Sequence, residues 1–353
     1  MRLRFACTCM TAALLMTGCA ATQPTWEQVA ARAPAPTVTA SGETVAVATV
    51  NADAADDPAI WRNPVDPARS LIVGTDKRAG LNVYALDGSQ RHFIDAGRVN
   101  NVDVIDTVIA GKSTVLVAAS DRNDPLQAKI ALFTLDPATA RLTALGTVAA
   151  GAGEGYGLCL ARRGQAVDAF MVLKDGTIHQ VALDLAAAQP TGRIVRTMKL
   201  ATQSEGCVVD PRTRRLYVAE EDVGLWRFDA DPAGPTTPVQ VAAVGGGTLV
   251  ADVEGVALAP EGAAGGWLLV SSQGDNAYAL FDLATERFAG RFRIAPGRFG
   301  ATSETDGIAV ATGAFGPDYP DGLFVAQDGD NLPRAQNFKL VSWGAIAAAL
   351  RLR

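Results

Sequence analysis

The chain has 353 residues, 48% of them apolar and 19% charged, with a formal net charge of −6. That length holds two average domains or one large all-β domain, and the apolar share builds a sizeable core, which excludes a disordered chain. Only two histidines occur, His92 and His179, too few for a histidine-based zinc or iron site, which needs several such ligands close together.

Residues 1–18 read as a lipoprotein-type signal peptide. Arg2 and Arg4 give it a positive start, Phe5 to Leu15 is mostly apolar, and Leu15-Met16-Thr17-Gly18-Cys19 has the form of a bacterial lipobox. The apolar run is too short to span a bilayer. Cys19 is then the lipidated first residue of the mature chain; the alternative is an ordinary signal peptide cut near Ala20 to Ala21. Both readings export the protein. With the lipid it sits at the bacterial outer membrane or in the periplasm, touching membrane only through Cys19, and otherwise it is secreted. Cys7 and Cys9 leave with the signal. Cys159 and Cys207 lie in apolar, strand-like runs and are expected as buried free thiols, pairing in an oxidising compartment being the alternative. Residues 19–43, rich in Ala, Thr, Pro and Gln, read as a flexible tether of low helical content. Without Arg2 and Arg4 the chain carries 29 basic residues against 37 acidic ones and no basic tract, so nucleic acid is not an expected partner.

From residue 44 to the end, one pattern recurs. Six apolar strands are centred on Val73, Val117, Val172, Val218, Val270 and Val325, at steps of 44, 55, 46, 52 and 55. Each is followed by a polar loop and a further strand. Each is preceded by an acid beside a short apolar strand: Asp57, Asp103, Glu154, Glu205, Glu254 and Asp306, at steps of 46, 51, 51, 49 and 52. Six repeats of strand and turn, about fifty residues each, are the signature of a six-bladed β-propeller. Thr44 to Val50 is read as an extra strand that closes the ring.

In a propeller the first strand of each blade lines the central channel, so the six acids gather around one mouth. About twenty residues past each acid comes the loop after the second strand. Those loops carry Lys77 and Arg78, Arg122, and Lys174 in the first three units, and Glu220 and Glu221, Gln273, and Asp328 in the last three. One half of the rim is basic and the other acidic or amide. Clustered carboxylates and amide oxygens suit calcium, which relieves their mutual repulsion. Several Ca²⁺ ions beside Lys and Arg would make a positive pocket for a polyanion such as a phosphate ester. Asp87, Asp136 and Asp184 read as turn formers, and His92 and His179 as packed or surface residues.

These residues resemble the β-propeller phytases, also called alkaline phytases, over nearly the whole mature chain. The resemblance rests on Asp56-Asp57-Pro58-Ala59-Ile60-Trp61, Asn100-Asn101-Val102-Asp103 with Ser120-Asp121-Arg122-Asn123, and Glu154-Gly155-Tyr156-Gly157 with Leu173-Lys174-Asp175-Gly176. It continues through Glu205-Gly206 with Val218-Ala219-Glu220-Glu221-Asp222, Asp252-Val253-Glu254-Gly255 with Ser271-Ser272-Gln273-Gly274, and Thr305-Asp306-Gly307 with Gln327-Asp328-Gly329 and Gln336-Asn337-Phe338-Lys339. Order and spacing make the match specific.

The resemblance implies calcium-dependent hydrolysis of phytate, the hexaphosphate of myo-inositol, by metal-activated water and without a covalent intermediate. It implies that Glu205, Glu221, Asp252, Glu254, Gln273 and Asp306 hold the catalytic ions. Asp57, with backbone oxygens near Pro58 and Val102, would hold a structural one. Lys77, Arg78, Arg122, Tyr156, Lys174 and Asp175 would contact phosphates directly or through calcium. Asp103 and Asp328 complete the expected metal set, and the enzyme is expected to be a monomer. The sequence departs from the family at Lys77-Arg78, where two lysines are common, and at Ala295 to Gly300, where an acid is missing; the latter counts against one structural calcium site. The alternative functions are a calcium-dependent lactonase or esterase and a non-catalytic surface propeller.

Overall fold

A computed structural model describes residues 25–187 and 189–352. The signal peptide and Cys19 lie outside the described residues. Six separate sheets make up the described chain. The first blade consists of Ala55–Trp61, Leu71–Asp76, Gly80–Ala85 and Gln90–Asp95, all antiparallel. The second runs from Val99–Ile109 to Arg141–Ala152, the third from Gly155–Arg163 to Thr191–Lys199, and the fourth from Ser204–Asp210 to Val239–Ala243. Val253–Glu261 opens the fifth and Ile308–Thr312 the sixth. The innermost strands touch in sequence around the ring, the sixth blade against the first. The fold is the expected six-bladed propeller.

The second strand of each blade explains the apolar runs. It is sandwiched between two neighbouring blades, so both faces are buried and the sequence reads as continuous hydrophobics rather than alternating ones. Side chains still alternate in direction. Val115, Val117 and Ala119 pack against the first blade, while Leu116 and Ala118 pack against the third. Repeating this at every boundary gives six apolar layers, one per pair of adjacent blades. Outer strands face solvent on one side and alternate; Gln90–Asp95 is the simplest case.

Of the segment 19–43 read as a tether, residues 25–43 depart from that reading. Thr25 caps a short helix, α1 (Trp26–Arg32), in a reciprocal capping box with Gln28, and Thr-x-x-Gln is a recognisable helix start. Thr37–Thr39 then adds a parallel strand beside Arg293–Ala295 of the fifth blade. Gly42–Glu43 is the outer strand of the sixth blade, pairing with Leu340 and Lys339. The closing strand therefore begins two residues before the expected Thr44. Thr44 and Val47 continue it only as single backbone bonds to Phe338 and Gln336. These pairings join residues nearly 300 apart, and composition cannot reveal so distant a partner.

The cysteine expectation is also corrected. Cys159 and Cys207 form a disulfide between the inner strands of the third and fourth blades, with Cα atoms 5.7 Å apart. Their sequence separation of 48 is close to one blade step, which places them at similar depth on adjacent strands.

Candidate active site

The ladders show how each inner strand presents its top residues. Pro58 pairs with Gly74, Val102 with Ala119, Cys207 with Val218, Val256 with Val270, and Ile308 with Ala326. Two residues before each stand Asp56, Asn100, Glu205, Glu254 and Asp306. These five are equivalent and ring the channel mouth. Bulges at Ala55/Pro58, Val99/Val102, Ser204/Cys207 and Val253/Val256 set this register, and a bulge adds a residue that simple counting does not see. The counted acids of the first two blades, Asp57 and Asp103, are therefore out of register.

Asp57 sits just below the mouth, where Oδ2 accepts a hydrogen bond from the Val102 backbone N–H at 3.0 Å. Asp103 lies deeper in the channel. Its two oxygens accept from the Leu160 N–H at 2.7 Å and from its own neighbour Val104 at 2.7 Å. Burial pushes the Asp103 carboxyl up to about 6. Neither residue lines the mouth cavity, and both Asp103 oxygens are already taken by backbone N–H groups. Both residues line instead a channel cavity of about 450 Å³, together with Ile60, Leu158, Val208 and Leu258.

At the mouth, Glu205, Glu221 and Glu254 each offer a carboxylate oxygen within 4.8 Å of the other two. Glu221 and Glu254 line a cavity of about 280 Å³ there with Asp252, Gln273 and Asp306. Burial first, then the charges of Asp56 and Asp306, lift Glu205 well above the usual carboxylate range. Glu254 is lifted by burial and by Glu205 and Asp306. For Asp306, burial outweighs the opposing pull of Lys77. Glu221 and Asp252 shift the same way, each mainly through burial. Two buried oxygens here, Asp56 Oδ2 and Glu254 Oε2, have no hydrogen-bond partner among the described residues. A buried carboxylate oxygen left alone is costly. An all-oxygen donor set with orphaned acceptors fits a hard divalent cation such as calcium.

The basic residues lie beside this cluster. Lys77 Nζ is 2.8 Å from Asp53, 2.9 Å from Asp56 and 3.1 Å from Asp306. Burial would lower its pKa, but these carboxylates outweigh that and the net shift is upward. Arg122 is held by Glu154 and by Asn100 Oδ1, and Asn100 also donates to Glu205 at 2.9 Å. The Arg122 guanidinium and the Lys174 ammonium each stand 5.2 Å from the centre of the Tyr156 ring, within cation–π range. Arg78 turns its Nε to the Asp53 carbonyl. Gln203 reaches the Tyr156 hydroxyl at 3.4 Å and Glu221 at 2.8 Å; Gln273 reaches Asp306 at 2.6 Å.

Two expected site residues point elsewhere. Asp175 is largely exposed, pairs with Lys199 at 3.0 Å and accepts the Thr177 N–H at the tip of a turn. Asp328 is buried at the end of its strand, not in the loop, and is taken by the Lys339 ammonium at 3.0 Å. Glu220, beside Glu221, ties Thr202 and the Trp226 indole together. His92 accepts the Leu142 N–H, and His179 meets Thr197, both away from the mouth. The structure adds Asp56, Asn100, Gln203 and Asp53 to the site. Asp56 and Asn100 stood in quoted motifs, but only the strand register singles them out.

A family model described as Phytase matches residues 5–352. The chain is 39% identical over 330 residues to the 3-phytase of Bacillus subtilis (strain 168), covering 89% of this chain and 85% of that protein. A chain in the crystal structure of a mitotic checkpoint complex superposes with a TM-score of 0.49 at 13% identity, over 87% of this chain and 81% of that one; this likeness bears on neither fold nor function.

Proposed function

The chain belongs to the phytase family and hydrolyses phytate, and we propose that it does so with calcium held at the propeller mouth. Glu205, Glu221, Asp252, Glu254, Asp306 and Gln273 would hold the ions, joined by Asp56. The observation that carries this reading is the pair of orphaned buried oxygens on Asp56 and Glu254 beside a carboxylate cluster in which burial and mutual charge raise the pKa of Glu205 and Glu254. Calcium bound there supplies the positive charge that draws phosphate in and makes phosphorus and water more reactive.

The chain's own residues do the positioning. Arg122, fixed by Glu154 and Asn100, and Lys174 flank the Tyr156 ring and present donors to phosphate oxygens. Lys77 stands at the junction of the basic and acidic arcs and serves both. Neither histidine lies at the mouth, which favours direct attack by water over a phosphohistidine. A lactonase would not need three basic side chains on one arc, and the family excludes it and a non-catalytic propeller.

We also propose that the chain is exported and lipid-anchored through Cys19, and that the oxidising compartment maintains the Cys159–Cys207 bond; we take the enzyme to act as a monomer. Phosphate release from phytate, followed with calcium and then with excess chelator, tests the calcium reading. Activity should disappear on chelation and return when calcium is restored. Full activity in chelator would sink it.

A further inference from the structure

The mouth is built from two arcs, and the inner strands carrying them meet at two seams. Five of the six seams between neighbouring blades are crossed by hydrogen bonds to the inner strands: Val102 N–H to Asp57, Leu160 N–H to Asp103, Val253 N–H to the Glu221 carbonyl, Gly255 N–H to the Asp306 carbonyl, and Gly307 N–H to the Asp56 carbonyl. The sixth-to-first seam, one of the two junctions between acidic and basic arcs, has in addition the Lys77–Asp306 ion pair. The other junction, between the third and fourth blades, carries the disulfide.

The placement of that bond is specific. Cys207 lies two residues beyond Glu205, and Cys159 three beyond Tyr156. Between bond and mouth the two backbones are in contact: a Cβ on Gly157 would come within 1.9 Å of the Glu205 carbonyl oxygen. Both cysteines are buried, at 2% and 9% exposure, in the apolar layer between these blades. Nearer the mouth, the seam is bridged by one long hydrogen bond, Gln203 to the Tyr156 hydroxyl at 3.4 Å.

We propose that Cys159–Cys207 is a positioning pair: it fixes the separation between Tyr156, with its flanking cations, and Glu205 with the carboxylate cluster, so that one phosphate can meet both arcs. The proposal rests on the phytase reading of the mouth. Every other blade boundary keeps its own hydrophobic layer, so opening this bond leaves a folded propeller with a looser third-to-fourth junction. A phosphate group spanning the two arcs then binds less well.

The test compares wild type with Cys159→Ser/Cys207→Ser and with the apolar pair Cys159→Val/Cys207→Ala, which preserves packing should the serine pair fail to fold. Steady-state hydrolysis of phytate gives kcat and KM, calcium titration of activity gives the half-saturating concentration, and circular dichroism reports the fold. Loss of the bond should raise KM and the half-saturating calcium by roughly 5- to 10-fold with a smaller change in kcat. Wild type reduced with dithiothreitol, which is itself oxidised to its cyclic disulfide, should move the same way and recover on reoxidation. A lower melting temperature with unchanged KM and calcium dependence would overturn the proposal, leaving a plain staple. Should wild type release no phosphate from phytate, the activity reading fails instead. Calorimetric calcium affinity of the same variants then decides the positioning role: weakened supports it and unchanged refutes it.

Discussion

Asp56 and Asp57 are neighbours in sequence with opposite surroundings. Asp56 reaches the mouth, pairs with Lys77 and leaves Oδ2 without a partner; Asp57 turns to the Val102 N–H. Asp103, three residues beyond the mouth residue Asn100, has both oxygens satisfied by backbone N–H groups. The expected outcome is that Asp56→Asn lowers phosphate release at limiting calcium by at least about tenfold, the scale of one lost ligand, whereas Asp103→Asn leaves turnover within about twofold. Equal effects of the two substitutions, measured as kcat/KM against calcium, would return the site to the counted register. The acidic residues of the last three blades were legible in the sequence because Glu205, Glu254 and Asp306 each precede a glycine in the same motif. The first two blades were not, because Asp56-Asp57 offers two acids for one position and Asn100-Asn101-Val102-Asp103 puts its only acid below the mouth. A bulge decides between such neighbours, and it leaves no mark in composition or spacing.

Ring closure is the clearest case at the scale of the element. Gly42–Glu43 joins the sixth blade, and the fully buried Lys339 ammonium holds it there. Its partners are Glu43 at 2.8 Å, Asp328 at 3.0 Å, Asn337 at 2.9 Å and Asn331 at 3.0 Å. Glu43 is pulled down to about 2: burial opposes this, but Arg334, Lys339 and Asn337 prevail. Asp328 goes the other way, up to about 6, because deeper burial outweighs Lys339. The signs follow. Asp328 binds its proton more tightly folded than unfolded, so it withdraws stability as pH rises from about 4 to 6. Glu43 binds its proton less tightly folded, so its contribution is lost as pH falls below about 4.5 towards 2. Lys339→Met strands both carboxylates and should cost about 3–5 kcal/mol at pH 7. The cost should shrink near pH 4.5, where Asp328 can take a proton. Urea unfolding at the two pH values in chelator checks this; a cost equal at both, or below about 1 kcal/mol, would contradict it. The repeats and blade strands were readable because buried second strands give continuous apolar runs. The closing strand was readable but its start was placed two residues late, because its partner lies almost 300 residues away and its short ladder has no hydrophobic period of its own.

At the scale of the whole molecule, the propeller brings together residues that are far apart in the chain. Lys77 and Asp306 pair across the ring closure, Asn100 meets Glu205 across the channel mouth, and Tyr156 faces Arg122 and Lys174. The result is an acidic arc from the last three blades beside a basic and aromatic arc from the first three. The division was visible in the order of rim residues, but the structure thins each arc: Asp328 and Asp175 leave it, and Asp56 and Asn100 enter. The central claim is that the acidic arc acts by holding calcium while the basic arc meets phosphate itself. Calcium titration of phytate hydrolysis by Glu221→Ala and by Arg122→Ala, side by side with wild type, tests it most directly. Glu221→Ala should lose at least about tenfold in turnover at ordinary calcium and recover part of it as calcium is raised, while Arg122→Ala should lose a similar amount that no calcium concentration restores. If Arg122→Ala keeps wild-type kcat and KM for phytate, the basic arc is not the phosphate site and the account of the mouth is wrong.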